Sequence, residues 1–261
     1  MIIGPQRTGT TWLYRNLRQH PRLFFPDFKE TYFFSTLGDP GHPRFRFQTL
    51  EEYLKIFRDS PSGFIKKNYD CLRKSHTFYY PTQRGEATAS YATLPEEVIR
   101  EITLFNPSLK AILMLRDPIE RAWSHFKKDL LRGDNAGNAV TLSTCQSFFE
   151  KQSQQRLADY DTMVDQWKKH LKPGHLFLGD FQKIKEAPSQ ILKEILSFLG
   201  VTTKALFQNR HLTETINPTD KVEMSEEIHA YLHQIFAKEV ASYRRLKKVF
   251  SSSSEELLPH G

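Results

Sequence analysis

Short continuous apolar runs alternate along the chain with longer segments whose apolar residues recur every three or four positions. Ile2-Ile3-Gly4 reads as the end of a short buried strand. Leu109 to Leu115 (LKAILML) is near-continuously apolar, as in a strand covered on both faces of a parallel sheet, and His175 to Asp180 (HLFLGD) reads as another strand. Helical spacing predicts helices over Thr10–Arg18, from Pro95 (Val98, Ile99, Ile102 and Phe105 on one face), and from Pro118 (Ile119, Ala122, Trp123, Phe126 and Leu130). Further helices are predicted over Asp159–Leu171 and from Pro188 through Ile191, Leu192, Ile195 and Leu199, closed by Gly200. A C-terminal helix is expected from about Ser225 to Lys248, with Ile228, Tyr231, Leu232, Ile235, Phe236 and Tyr243 inward. Asn68–Gln83 is aromatic and irregular, and residues 36–48 and 132–145 read as loops.

Strands alternating with helices predict an α/β fold, a central parallel sheet with helices on both faces. No stretch is rich enough in Gly, Ser or Pro to divide the chain, so one domain over residues 1–250 is expected, with 251–261 as a flexible tail. At 261 residues, 39% hydrophobic and 26% charged, the chain can bury a substantial core and is not of disordered composition. Twelve glycines without period and two cysteines exclude collagen-like and disulfide-scaffold classes. Cys71 and Cys145 form no C-x-x-C, which removes a zinc ribbon or thioredoxin-type site and leaves open whether they pair. No apolar run approaches the ~20 residues that span a bilayer, and no signal-peptide pattern follows Met1. The expected location is cytoplasmic, the alternative being a lumenal catalytic domain whose membrane anchor lies outside this sequence.

Lys and Arg number 37 against 30 Asp and Glu, a net charge of +7 that favours anionic ligands. Two segments give that charge a chemistry. In Gly4-Pro5-Gln6-Arg7-Thr8-Gly9-Thr10-Thr11, a loop between strand and helix, two glycines and a hydroxyl trio surround a mid-loop cation. Such a corner aims unpaired N–H groups and the positive end of a helix at an anion. A nucleotide-triphosphate loop would place Lys directly after the second glycine; Thr10 stands there and Arg7 supplies the cation instead. The second segment is Leu115-Arg116-Asp117-Pro118-Ile119-Glu120-Arg121-Ala122-Trp123-Ser124, which puts Arg116 at the carboxyl end of the most buried strand, where open parallel sheets bind ligands. Ser124 lies about two turns on, so a ligand with phosphates at both ends is implied.

These motifs, in this order, resemble those of sulfotransferases that use 3′-phosphoadenylyl sulfate (PAPS), above all the heparan sulfate N- and O-sulfotransferase branch and its bacterial relatives. QRTGTTWLYRNLRQHP, KETYFF at 29–34, GEATASY at 85–91, LRDPIERAWSHF at 115–126 and FLGDFQKIKEAPSQILKEILSFLGV at 177–201 fall in family order. The resemblance implies a P-loop-containing nucleotide-binding fold and PAPS as co-substrate, without a metal. It places Arg7 where the family usually has Lys at the bridging oxygen and sulfate. Thr8, Gly9, Thr10 and Thr11 would bind the 5′-phosphate, Trp12 would pack on the adenine, and Arg116 and Ser124 would bind the 3′-phosphate. Glu30 matches the family's catalytic base. Lys221, in Asn217-Pro218-Thr219-Asp220-Lys221, is the candidate in the late nucleotide loop. The family's heparan members carry Lys after the Glu of the block at 85–91; this chain has Ala87, so a second cation is missing or comes from Lys29 or Lys66.

His76 is the competing base, since cytosolic sulfotransferases use a His, but it precedes the GEATASY block; Glu86 reads as an orienting residue at a strand end. His229 and His233 lie four apart without the Glu of H-E-x-x-H or a third ligand, so they read as a solvated helix face. Lys127-Lys128 and Arg244-Arg245…Lys247-Lys248 read as solvated faces or as attraction for an acidic glycan. The expected function is sulfuryl transfer to a glycan or small-molecule acceptor, with no nucleic-acid partner and the oligomeric state open. The rivals are a P-loop phosphotransferase, for which Asp117 would be the magnesium ligand, and a non-catalytic polyanion-binding module.

Overall fold

A computed structural model describes residues 1–132, 137, 139–203, 212 and 222–255. The elements in chain order are β1 (Ile2–Gly4), α1 (Thr10–Leu17), β2 (Leu23–Phe24), α2 (Leu50–Lys55), α3 (Pro61–Ser75), β3 (Gln83–Arg84), α4 (Glu96–Phe105), β4 (Ala111–Leu115) and α5 (Pro118–Arg132). They continue with α6 (Leu142–Phe149), α7 (Gln152–Arg156), α8 (Tyr160–His170), β5 (Leu176–Asp180), α9 (Phe181–Glu186), α10 (Pro188–Leu199), α11 (Glu226–Ile235) and α12 (Ala237–Glu255).

The central sheet is parallel, in the order β1-β4-β5, and all five residues of β4 are buried. Its alternating side chains divide the core. Ile2, Ile112 and Met114 pack with α1 and α10 through Leu13, Leu17, Ile191 and Ile195. Ile3, Leu113 and Leu115 pack with α4 and α8 through Ile99, Met163 and Trp167. A third cluster joins α5, α6, α11 and α12 around Phe126, Phe149, Leu232 and Phe236. The parallel sheet with helices on both faces is therefore as the strand–helix alternation predicts.

Residues 83–88 run along the free side of β1 and link it to the small β2-β3 sheet. Gly85 N–H donates to the Phe24 carbonyl at 2.9 Å, and Ile2 N–H to the Glu86 carbonyl at 2.8 Å. Thr88 N–H returns a bond to the Ile2 carbonyl at 3.0 Å, and Ala87 bridges Ile2 in parallel register. This approach explains Gly4: its φ is +114°, and a Cβ there would lie 2.1 Å from the Ala89 carbonyl oxygen.

Several local expectations need correction. Residues 68–75, read as irregular, complete α3, which starts with Ser60 accepting from Gly63 N–H and Pro61 in the first turn. That Ser-Pro start and the Thr49 cap of α2 are the local signals for two helices the apolar pattern does not reveal. The expected loop at 132–145 contains the start of α6, where Thr141 and Thr144 form a reciprocal capping box. The C-terminal helix is two helices, broken at buried Phe236 (φ −108°, ψ 18°), and Ile235 is exposed rather than inward. Phe105 is likewise exposed. Cys71 and Cys145 do not pair in a disulfide.

Gly4→Ala combines a left-handed φ with an overlap against backbone that cannot rotate away. It is expected to cost about 3 kcal/mol or more, read as a lower urea midpoint at unchanged slope; a midpoint equal to the parent chain's would show that the segment at 89 yields freely.

Candidate functional site

The carboxyl ends of β1 and β4 open onto the loop Pro5–Gly9. Gly9 (φ +88°) begins α1 without a side-chain cap, and the first backbone bond of the helix is Leu13 N–H to the Gly9 carbonyl at 3.0 Å. The N–H groups of Thr10, Thr11 and Trp12 therefore precede the helical ladder, which is the arrangement that binds an anion. A Cβ on Gly9 would stand 2.5 Å from Ile184 Cδ1, so α9 packs directly on the loop.

Arg7 holds a left-handed φ of 71°, rare for a residue with a side chain and characteristic of sites where placement outweighs strain. Its Nε donates to Ser124 Oγ at 2.9 Å, while Arg116 Nη1 donates to the Arg7 carbonyl at 3.3 Å. Arg116 is braced by Glu120 Oε2 (3.2 Å) and lies 4.5 Å above the Phe181 ring, and the Tyr160 hydroxyl donates to its carbonyl at 2.7 Å. The two anion motifs thus meet in one hydrogen-bonded assembly. Burial, then the charge of Arg116, holds the Arg7 guanidinium below its ordinary pKa.

Lys29 enters from the loop after β2. Its Nζ donates to Thr10 Oγ1 (2.9 Å) and Thr11 Oγ1 (3.2 Å), and lies 3.4 Å from Glu30 Oε1. Burial lowers its pKa, Glu30 opposes that, and Lys128 adds to it. Lys128, read as part of a solvated face, therefore contributes to the field at this site. Lys29 is the cation at the loop; Lys66 stands exposed on α3. Ala87 is buried in the core against Ile2.

Glu30 Oε1 accepts from Ala89 N–H at 3.2 Å. The Tyr32 hydroxyl accepts from Arg44 Nη1 at 2.8 Å, and burial and the Glu30 carboxylate both raise its pKa. Tyr32 is a site residue that sequence reasoning missed; its place inside KETYFF was the available signal. Behind this loop, Glu86 is fully buried and accepts from Thr31 Oγ1 (2.6 Å), Thr88 Oγ1 (2.7 Å) and Tyr53 OH (2.7 Å). Burial raises its pKa and the three hydroxyl donors oppose that. Glu86 is the orienting group its strand-end position suggests.

The remaining candidates divide. Thr8 is fully buried with its hydroxyl donated to the Pro5 carbonyl at 2.7 Å, so its side chain closes the loop. Trp12 is 4% exposed in the core, and its indole N–H donates to the Leu212 carbonyl at 3.2 Å. His76 is an exposed, left-handed cap at the end of α3, and Asp117 caps α5 through the N–H groups of Ile119 and Glu120. Lys221 and its neighbours 217–220 lie outside the described residues. The site can hold an anion among Arg7, Lys29, Arg116 and helix N–H groups, with a carboxylate at its rim to take a proton.

Comparison with known proteins identifies the family. The model of the family described as Sulfotransferase family matches residues 1–205. Mouse bifunctional heparan sulfate N-deacetylase/N-sulfotransferase 4 is 26% identical over 216 residues, and human bifunctional heparan sulfate N-deacetylase/N-sulfotransferase 2 is 25% identical over 216. Each match takes in 77% of this chain but 22% of the relative, so the chain spans about a fifth of those proteins' length. Among solved structures, a sulfotransferase from Alicyclobacillus acidocaldarius matches with a TM-score of 0.64 and 22% identity, over 97% of both chains. A mouse sulfotransferase complexed with PAP matches with a TM-score of 0.50 and 15% identity, over 98% of this chain and 88% of that one. These two likenesses are of fold.

His125, on α5 next to Ser124, gives a test of burial and positive charge together at this site. Burial, then Arg121, Lys128 and Arg7, push its pKa from 6.5 down to about 3. The folded state therefore favours the neutral ring: this stabilisation is complete above pH 6.5 and is lost as pH falls towards 3. The parent chain should lose up to about 1.4 kcal/mol per pH unit relative to His125→Gln across that window. Urea unfolding of both at several pH values checks this, and a pH-independent difference would refute it.

Proposed function

We propose that this chain, which belongs to the sulfotransferase family, transfers the sulfuryl group of PAPS to a hydroxyl or amine of a glycan or small-molecule acceptor, releasing 3′,5′-adenosine bisphosphate. The observation that carries the reading is Lys29 Nζ bonded to Thr10 at the uncapped start of α1, directly after the loop that carries Arg7, with the Glu30 carboxylate within 3.4 Å of that Nζ.

The acceptor lone pair forms the new bond to sulfur as the bond between sulfur and the bridging oxygen breaks, and the electron pair of that bond leaves on the 5′-phosphate. Charge grows on the leaving oxygen, so fixed cations and oriented N–H groups supply most of the catalysis. Arg7 remains charged at any working pH and neutralises that oxygen. Lys29, bonded to the hydroxyls of Thr10 and Thr11, is the second cation, in the role left open by Ala87. Glu30 takes the acceptor proton, a contribution of roughly 10²–10⁴-fold. Arg116 and Ser124 hold the 3′-phosphate, with Arg116 also fixing the Arg7 carbonyl. Against the phosphotransferase reading, Asp117 Oδ1 is engaged by the N–H groups of Ile119 and Glu120 at the start of α5.

Two measurements test the reading. In thermal-shift titrations without divalent metal, 3′,5′-adenosine bisphosphate should stabilise the chain and ATP should do so less. A strict magnesium requirement with ATP preferred would overturn the co-substrate. With a verified acceptor, Glu30→Gln should lower turnover about 10²-fold or more at little change in nucleotide affinity. Arg116→Ala should weaken nucleotide binding about ten- to a hundredfold, and Arg7→Ala should be the most damaging of the three. Near-parental turnover in Glu30→Gln, with His76→Ala inactive, would move the base to His76.

A further inference from the structure

Helix α3 turns an apolar stripe outward. The side turned to the body of the protein is mixed: Phe64 meets the Tyr79 ring edge-on at 5.7 Å, Lys67 Nζ lies 3.0 Å from Asp59 Oδ1 and 4.2 Å above the Phe24 ring, and Asn68 Oδ1 accepts from Tyr79 N–H at 3.1 Å. Ile65, Tyr69 and Leu72 follow at offsets of four and three, which puts them on one helical stripe, and all three are exposed, Ile65 by 68% and Tyr69 by 65%. The extended segment after the helix continues the surface. Tyr79 turns inward, whereas its neighbours Phe78 and Tyr80 are 71% and 64% exposed. The Arg22 guanidinium lies 5.7 Å from the Tyr80 ring centre.

Charge completes the pattern. Residues 61–80 carry four Lys or Arg against one Asp, and Lys66 and Arg73, seven apart, line one side of the apolar stripe. An apolar and aromatic surface edged by cations needs a partner that is apolar within and negative at its surface. A second copy of this chain would set Lys66 and Arg73 against like charges. An anionic bilayer meets both requirements, with aliphatic side chains entering the acyl boundary, aromatic rings at the headgroup level and cations among the phosphates.

We propose that the outward stripe of α3, with Phe78 and Tyr80, is a docking surface for an anionic phospholipid bilayer, holding the protein at the membrane by shallow, reversible insertion. It is independent of the sulfuryl-transfer reading, since none of these side chains belongs to the anion site.

The test is co-sedimentation of the full chain with vesicles of phosphatidylcholine alone and of phosphatidylcholine with phosphatidylglycerol at about 3:1. The chain should bind the anionic vesicles, bind the neutral ones far more weakly, and release at about 0.5 M salt. I65E/Y69E should lower binding tenfold or more by removing the inserted surface. K66Q/R73Q should lower it about twenty-five-fold, at roughly a factor of five per cation, while leaving the apolar stripe intact. Both variants change exposed side chains, so melting temperatures should match the parent chain's, and K66Q/R73Q decides the matter if I65E/Y69E proves unstable. No binding to anionic vesicles, equal binding by parent and variants, or a dimer in sedimentation velocity that either variant abolishes would overturn the proposal.

Discussion

The carboxylate of Glu86 is the constraint on which the site depends. It lies fully buried at the point where three separate chain segments meet, and hydroxyls from Thr31, Thr88 and Tyr53 converge on it. A buried charge without partners is expensive, so its three donors must be brought together for the fold to be stable at all. Doing so pins the loop carrying Lys29 and Glu30 against the segment beside β1. Lys29 can then reach Thr10 and Thr11, and Glu30 can reach the Ala89 N–H. The acid that performs no chemistry sets the positions of the groups proposed to perform it.

The same economy appears at the sheet edge. Arg116 and Arg7 are like charges placed close together, which costs free energy in the empty site. The cost is limited because Arg116 is braced by Glu120 and Phe181, and Arg7 by Ser124. An entering anion relieves the remaining repulsion, so part of the affinity of such a site is stored in its unliganded arrangement. Asp180, at the end of β5, accepts from the Tyr243 hydroxyl at 2.8 Å and from Lys247, so α12 is tied to the same edge.

What could be read from the sequence follows from how local each signal is. Arg7, Gly9 and Thr10 were legible because a strand, a glycine-bounded turn and a helix start lie within eight residues. β4 was legible because its entire length is apolar. Lys29 could be named only as one of two candidates, since its contact with Thr10 crosses 19 positions through a loop whose path depends on Glu86. Arg7 and Ser124 were both singled out, but as opposite ends of a ligand; that they bond directly across 117 positions is a fact of packing. The helix α3 was missed over residues 68–75 because periodicity identifies a helix by the face it buries, and no described side chain of α3 is buried. Trp12, on α1, is 4% exposed and packs in the core.

The parallel pairing of β1 also orders events in time. Ile2 lies in register with Ile112, and its other side is filled by residues 86–88. On a ribosome the loop Pro5–Gly9 is therefore made well before the strand that fixes its shape. Until about 110 further residues have emerged, Ile2 and Ile3 have no strand to join, and the glycine-rich corner after them is an open chain. Such long-range closure slows folding and leaves an apolar β1 exposed during synthesis. For this architecture, a segment of strict geometry must wait for contacts that are made much later in synthesis.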